Sequence, residues 1–495
     1  MDQVRDTAEV VDLLGDWASA RGPMYLRLAG ALRRAVREGE LHSDERLPSE
    51  RRLAAALGVS RGTVVAAYDE LRGPGLLESR RGSGTRIGRR QSAPPAGGHG
   101  RVPGGRASAI FQRLLDAPGE VISLAYAVEP AVPKLTDALL DLVRDDVPAL
   151  LADVGYHPRG LAGLRDAIAT HFGELGLPTR RDQVVVTTGA HQAIGLAAQM
   201  YVRKGSTVVV ESPSWPGCID VFRAAGARLV TVPLDEHGPR TDLLAQALAE
   251  RQPSLLYVMP TYQNPTGTLM STHRRRRIAE LAAHHQVPVL EDNAYTTLAA
   301  RTGAGRSPLP IAAFAKTGAE ILTVGSLAKS VWAGLRIGWV RAPAEIAERL
   351  ARHKALADLG SPILDQALAA RLLPRLTELT AARNQSMRRR LGHLERLLRE
   401  HQPTWRWRTP DGGSALWIEL AGTDAAVFAQ IALRHGVEVV PGAAMDPSGA
   451  HDTHIRLPFT FPEDTLTELV HRLRGAWTDL QRHGPADTSP LSAIV

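Results

Sequence analysis

The chain has only five lysines, Lys134, Lys204, Lys316, Lys329 and Lys354, and Lys329 alone sits in a small-residue turn after an apolar strand, in ILTVGSLAKSVWAGLRIGWV. A primary amine at such a place can condense with an aldehyde to form an imine. Arg336, seven residues on, and Ser326, three residues before, can both reach a phosphate held beside the lysine. In VVVTTGAHQAI a strand meets a helix at Gly189, Ala190 and His191, so that free backbone N–H groups and the helix dipole face an anion. Taken alone, that turn is weak evidence, and Ser326 alone fits a helix cap.

A carboxylate follows the buried strand in VPVLEDNAY, where Asp292 can pair with a ring nitrogen and Tyr295 can reach a phenolic oxygen. Asn264 in PTYQNPTG supplies a second donor to that oxygen, and Trp215 in ESPSWPG offers a flat face over a ring. Read singly, Asp292 fits an N-cap, Asn264 a turn residue and Trp215 a core residue. Their shared order along one α/β unit favours the joint reading, and the joined parts are those that pyridoxal phosphate requires. The single cysteine, Cys218, reads as a small packed residue and excludes an internal disulfide or a thiolate metal cluster; no metal site is expected.

The elements that must position these residues are legible as an alternation. From Val121 onward, VVVTT, STVVVES, ARLVTVPL, SLLYVMP, VPVLEDN, EILTVGS and GWVRA alternate with amphipathic helices, which predicts an α/β fold with a largely parallel sheet. Residues 346–400 turn helical, and WRWRTPDGGSALWIEL and GVEVVPG predict strands of a smaller C-terminal subdomain. Residues 89–119, rich in Gly, Pro, Ser and Arg, read as a flexible basic linker, and the stretch before Gly22 as a short helix.

Ahead of the linker, LPSERRLAAALGVSRGTVVAAYDELRGPGLLESRRGSGTRI has the spacing of a helix-turn-helix. Ser49 and Ser60 are N-caps, Ala54 is small where two helices approach, Gly58 admits positive φ, and Val64 packs back into the core. The second helix presents Arg61, Gly62 and Thr63 at its start, with Arg61 the first choice for a base contact. LLESRRGSGTRI then forms a wing, with Gly82, Ser83 and Gly84 as the turn and Arg80, Arg81 and Arg86 near phosphates or the minor groove; a solvated basic hairpin is the plainer alternative. Residues 46–90 hold ten arginines against four acids, a local +6 within a net charge of +7, which points to a polyanion partner near the N-terminus.

PSERRLAAALGVSRGTVVAAYDEL and GSGT resemble the GntR family of winged helix regulators, which implies that Arg51, Ser60, Arg61 and the wing Gly82 to Thr85 contact DNA. TTGAHQA, PSWPG, NPTG, EDNAY, SLAKS and GLRIGW resemble, in sequence and order, fold type I aminotransferases. That resemblance implies Lys329 as the internal aldimine, Arg456 in HIRLPFT on a substrate α-carboxylate, and Tyr156 reaching the neighbouring subunit's cofactor phosphate. It also implies a homodimer, with exchanged N-terminal domains as one arrangement. Together the halves resemble the MocR subfamily: a cytoplasmic regulator that binds double-stranded DNA and senses a small amine, an amino acid or pyridoxal phosphate itself. The rival reading is a catalytically active aminotransferase with a winged helix appendage, and the retained Asn264, Asp292, Tyr295, Lys329 and Arg456 keep it in play. The expected divisions are an extension (1–22), the winged helix (23–88), the linker (89–119), the aminotransferase-like domain (120–480) and a tail (481–495). No run of about 18 uninterrupted apolar residues occurs, and no membrane segment is expected.

Overall fold

Ser49 and Ser60 each turn a side-chain oxygen onto the open start of a helix. Ser49 Oγ accepts from Arg52 N at 3.4 Å, and Ser60 Oγ accepts from Thr63 N at 3.2 Å. With α1 (Thr7–Leu14) and α2 (Met24–Arg37) preceding them, the capped helices are α3 (Glu50–Leu57) and α4 (Arg61–Arg72). Gly58 between them has φ +60°, a left-handed turn that closes α3 and that a side chain would strain. Ala54 and Val64 are buried, as their spacing predicts, in one apolar cluster with Leu53 and Leu57. A hairpin of β1 (Leu77–Arg80) and β2 (Gly84–Ile87), Arg80 opposite Gly84, forms the wing. The computed structural model describes residues 5–15, 17–19, 22–37, 40–42, 44–73, 76–80, 84–88, 121–300, 309–316 and 319–483. The predicted wing residues Arg81, Gly82 and Ser83, the linker 89–119 and residues 484–495 of the tail lie outside the described residues, as does the side chain of Arg80.

After β3 (Ile122–Ser123), the chain builds an eight-stranded sheet from β4 (Val184–Thr187), β5 (Thr207–Ser212), β6 (Arg228–Asp235), β7 (Gly238–Pro239), β8 (Leu255–Val258), β9 (Val289–Asp292), β10 (Ile321–Ser326) and β11 (Gly338–Arg341). Their order is β4-β11-β10-β9-β8-β5-β6-β7. Both faces are covered: Val184 and Val186 enter one apolar cluster and Val185 the other, which is why the strands read as unbroken apolar runs. The sheet is largely parallel, as expected, with an antiparallel strand inside it and another at its edge. β11 runs antiparallel to both β10 and β4, because residues 327–337 return directly from β10 without the crossover helix that a parallel neighbour needs. At the far edge β7 is also antiparallel to β6.

The C-terminal subdomain is a smaller sheet, β12 (Arg406–Trp407), β13 (Ala415–Glu419), β16 (His454–Pro458) and β15 (Val440–Pro441), in that order. It packs on three helices that follow α5 (Ala190–Tyr201) in the chain: α6 (Leu376–His401), α7 (Ala425–Arg434) and α8 (Glu463–His483). The short β14 (Val437–Glu438) pairs with β3, so the strand next to the linker is fastened to this subdomain. Among the described residues, no helix is long and apolar enough to cross a membrane.

Candidate functional site

Sheet register gathers the candidate residues at one edge. Val324 of β10 lies opposite Asp292 of β9, Ser326 opposite Gly338 of β11, and Gly338 opposite Thr187 of β4. The ends of β9 and β10 therefore lie side by side, with that of β4 across β11; Asp292 closes β9, and the turns that leave β4 and β10 carry Gly189 and Lys329. Ends of parallel strands at such a junction are where open α/β sheets place ligands.

Lys329 Nζ donates to Ala127 O at 3.0 Å and lies 5.5 Å from the centre of the Tyr295 ring. The Tyr295 hydroxyl accepts from Asn264 Nδ2 at 3.4 Å. Asp292 is buried, accepting from the Tyr257 hydroxyl at 2.9 Å and from Ala294 N at 3.0 Å. Burial pushes its carboxyl above the ordinary value, while those hydrogen bonds and the positive charge of Lys329 pull the other way.

At the turn after β4, Gly189 caps α5 with φ +90°, and a Cβ there would stand 2.9 Å from Arg336 Nη2. Arg336 donates to Thr188 O at 2.7 Å, and Ser326 Oγ accepts from Ala328 N at 3.2 Å. A strand-to-helix turn of this shape, with a guanidinium packed where a side chain would stand, suits a phosphate. Ala190 opens α5, and the His191 ring stands edge-on to Trp215, centroids 5.7 Å apart. Arg456 on β16 is 4% exposed; its Nη2 donates to Leu124 O at 2.9 Å and Ala125 O at 2.7 Å, and Nε has no hydrogen-bond partner among the described residues. Tyr156 is 68% exposed, in a stretch where Leu151 and Val154 are also exposed.

On the winged helix, Arg51, Ser60, Arg61 and Gly62 are exposed at the helix starts, and Thr63 Oγ1 is 2.9 Å from Ser60 Oγ. Gly84 is exposed at the start of β2, whereas Thr85 is 7% exposed and turned into the fold.

Several residues that sequence reasoning passed over hold the site together. Tyr257 is one; a lone tyrosine in an apolar strand needs a partner for its hydroxyl, and that signal was present in SLLYVMP. Arg383 of α6 donates to the carbonyls of Lys329, Ser330 and Val331 at 2.7–3.1 Å and pairs with Glu129, which Arg390 also holds. Nothing local in the sequence marks that long-range clamp. Gln192 Oε1 accepts from Thr188 N and from the buried Lys354, bracing the turn at Gly189 from below.

The family description "Aminotransferase class I and II" matches residues 154–473, and "Bacterial regulatory proteins, gntR family" matches residues 24–87. The HTH-type transcriptional regulator YisV of Bacillus subtilis is 31% identical over 466 residues, covering 90% of this chain and 95% of that protein. This chain belongs to the MocR-like regulators of the GntR family. The probable rhizopine catabolism regulatory protein MocR of Rhizobium meliloti is 30% identical over 67% of each chain. Among solved structures, the α-aminoadipate aminotransferase LysN of Thermus thermophilus, complexed with N-(5'-phosphopyridoxyl)-L-leucine, superposes with a TM-score of 0.68 at 29% identity over 76% of this chain and 96% of LysN. The MocR-like chain thus joins a winged helix to an aminotransferase fold, and that fold implies pyridoxal phosphate as its cofactor. An amine, a buried carboxylate, a phenol paired with an amide, and a guanidinium beside a glycine cradle fit that group.

Proposed function

We propose that the protein is a pyridoxal-phosphate-dependent transcription regulator that reads a small amine or amino acid, or the cofactor itself, at Lys329 and reports it to DNA. Lys329 would hold the aldehyde carbon, Asp292 the ring nitrogen, Asn264 and Tyr295 the phenolic oxygen, Ser326, Arg336 and the turn at Gly189, Ala190 and His191 the phosphate, and Trp215 one face of the ring. When bound, the cofactor supplies an electrophilic carbon that exchanges amines and an electron-poor ring. The chain's own part is to hold a carboxylate in a buried place, where its charge counts for more than in water, and to keep the Lys329 amine in reach.

Arg456 is assigned to an effector carboxylate, since a buried guanidinium with an unpartnered Nε favours a planar anion. Arg51, Arg61 and the wing are assigned to the operator. A homodimer is proposed from the exposed apolar residues Leu140, Val143, Leu151, Val154 and Tyr156, which a partner subunit would cover. Tyr156 would there meet the partner subunit's cofactor.

The observation that carries the reading is one chain holding both an exposed basic helix start and a lysine joined to a complete ring-binding set. Lys329→Ala tests it: the variant should lose the visible absorption that pyridoxal phosphate gives the wild type and lose any ligand effect on operator binding, while binding DNA at the basal level. An intact ligand effect would refute it. The complete set Asn264, Asp292, Tyr295, Lys329 and Arg456 also supports a second reading, transaminase turnover, which a keto-acid exchange assay tests.

A further inference from the structure

The N-terminal extension lies outside the residues matched to the gntR description, yet its described part is built into the reader's core. Val10, Leu13, Leu14, Trp17 and Ala18 are buried in the same cluster as Leu28, Leu53, Leu57 and Val64. Leu433, from α7 of the C-terminal subdomain, belongs to that cluster too, and Val121 packs against it. Two hydrogen bonds fix the seam: Trp17 Nε1 donates to Gln430 Oε1 at 3.2 Å, and Arg434 Nη1 donates to Gly58 O, in the turn of the helix-turn-helix, at 2.8 Å. Ile431 lies directly against Gly58, where a Cβ would come within 3.3 Å of its Cγ1.

The opposite side of α7 is part of the body that carries Arg456. Phe428 and Ala432 share a core with Ile455 and Leu457, the neighbours of Arg456 on β16. Val440 of β15 lies opposite Arg456, and β14 holds β3, whose following carbonyls, of Leu124 and Ala125, Arg456 grips. Packed elements of this kind move as a unit. Arg51, Ser60, Arg61 and Gly62 stay exposed while the seam is closed, so the contact aims the reader without covering its DNA face.

We infer that Trp17 and Ala18, with the end of α3 and the Gly58 turn, form a docking surface for α7 that α1 braces from behind, which makes the winged helix a rigid appendage of the subdomain bearing Arg456. This rests on the regulator reading and assigns the route by which the site reaches DNA. Motion of that subdomain then re-aims the two readers of a dimer, and a coupling of this kind is typically worth about 5-fold or more in affinity.

The test uses the full-length chain, the wild type beside a Gln430→Ala, Arg434→Ala double variant and a Trp17→Phe variant that keeps the buried ring. Hydrogen exchange and affinity for the gene's own upstream duplex are measured with and without pyridoxal phosphate. The double variant should exchange faster over residues 7–19 and 54–63, take up cofactor with wild-type absorption, and bind DNA with a cofactor ratio near one where the wild type shows about 5-fold or more. Trp17→Phe should fall between the two. A double variant that keeps the wild-type ratio and protection overturns the inference alone, whereas a coloured, DNA-binding wild type indifferent to cofactor defeats the regulator reading on which it rests. A wild type that neither colours nor binds the duplex defeats the regulator reading beneath it.

Discussion

The hydroxyl of Tyr257 donates to Asp292 Oδ2 at 2.9 Å, from a strand paired directly with the one that ends at Asp292. Both residues are buried, so each is the other's replacement for water. Tyr257→Phe should leave the carboxylate one donor short, at about 1.5–3 kcal/mol for a hydrogen bond to a charged group. Denaturant unfolding should show that loss, and pyridoxal phosphate should dissociate faster in dialysis; unchanged values for both would show that the bond contributes nothing.

Arg383 grips the turn of Lys329 from α6 while paired with Glu129, both side chains nearly buried. Arg383→Met should cost about 3–5 kcal/mol, since Glu129 keeps only its pairing with Arg390. The imine should form more slowly in stopped-flow absorption, and Arg383→Lys should restore part of the rate. A merely structural arginine would change stability and leave that rate alone.

Glu211, next to last in β5, is buried, accepting from Met259 N and Gln263 Nε2, and burial pushes its carboxyl from 4.5 up to about 8, with Asp292 adding to the rise. Its folded-state pKa is raised, so the stability it contributes is full below pH 4.5 and is lost as pH climbs through about 8. Between those values the loss runs at about 1.4 kcal/mol per pH unit. Glu211→Gln removes the titrating group, so its stability should fall less steeply than the wild type's over that window. Parallel pH profiles by urea unfolding would contradict this.

Arg51 and Arg61 are both exposed; Arg61 is the first choice for a base edge, and we assign Arg51, at the start of the preceding helix, to a phosphate. Arg51→Ala, losing a phosphate contact, should lower the slope of log affinity against log salt by about 1 and weaken all duplexes alike. Arg61→Ala should cost about 1–3 kcal/mol on the operator and reduce discrimination between operator and random duplex. Competition binding at several salt concentrations separates the two effects.

Local chemistry made the reader and the strand ends legible. Ser49, Gly58 and Ser60 act within four residues of themselves, and the lysine turn follows a strand whose apolar run marks its burial. Contacts closed by distant segments were not legible. Arg383 meets the Lys329 turn across more than fifty positions, Arg456 meets Leu124 and Ala125 across more than three hundred, and no periodicity encodes such pairings. The reversal of β11 was hidden for a related reason: a strand buried on both faces carries the same pattern in either direction. The extension read as a short helix, which α1 is, but its seam with α7 depends on Trp17 and Gln430 meeting in space.

The central claim is that one lysine amine, by taking up an aldehyde, changes how the chain holds DNA. Titrating apoprotein with pyridoxal phosphate while following visible absorption and operator affinity in the same samples tests it most directly. The wild type should give two curves with one midpoint, and Lys329→Ala two flat lines. Operator affinity that stays level while the wild type turns fully coloured, or that shifts equally in Lys329→Ala, would contradict it.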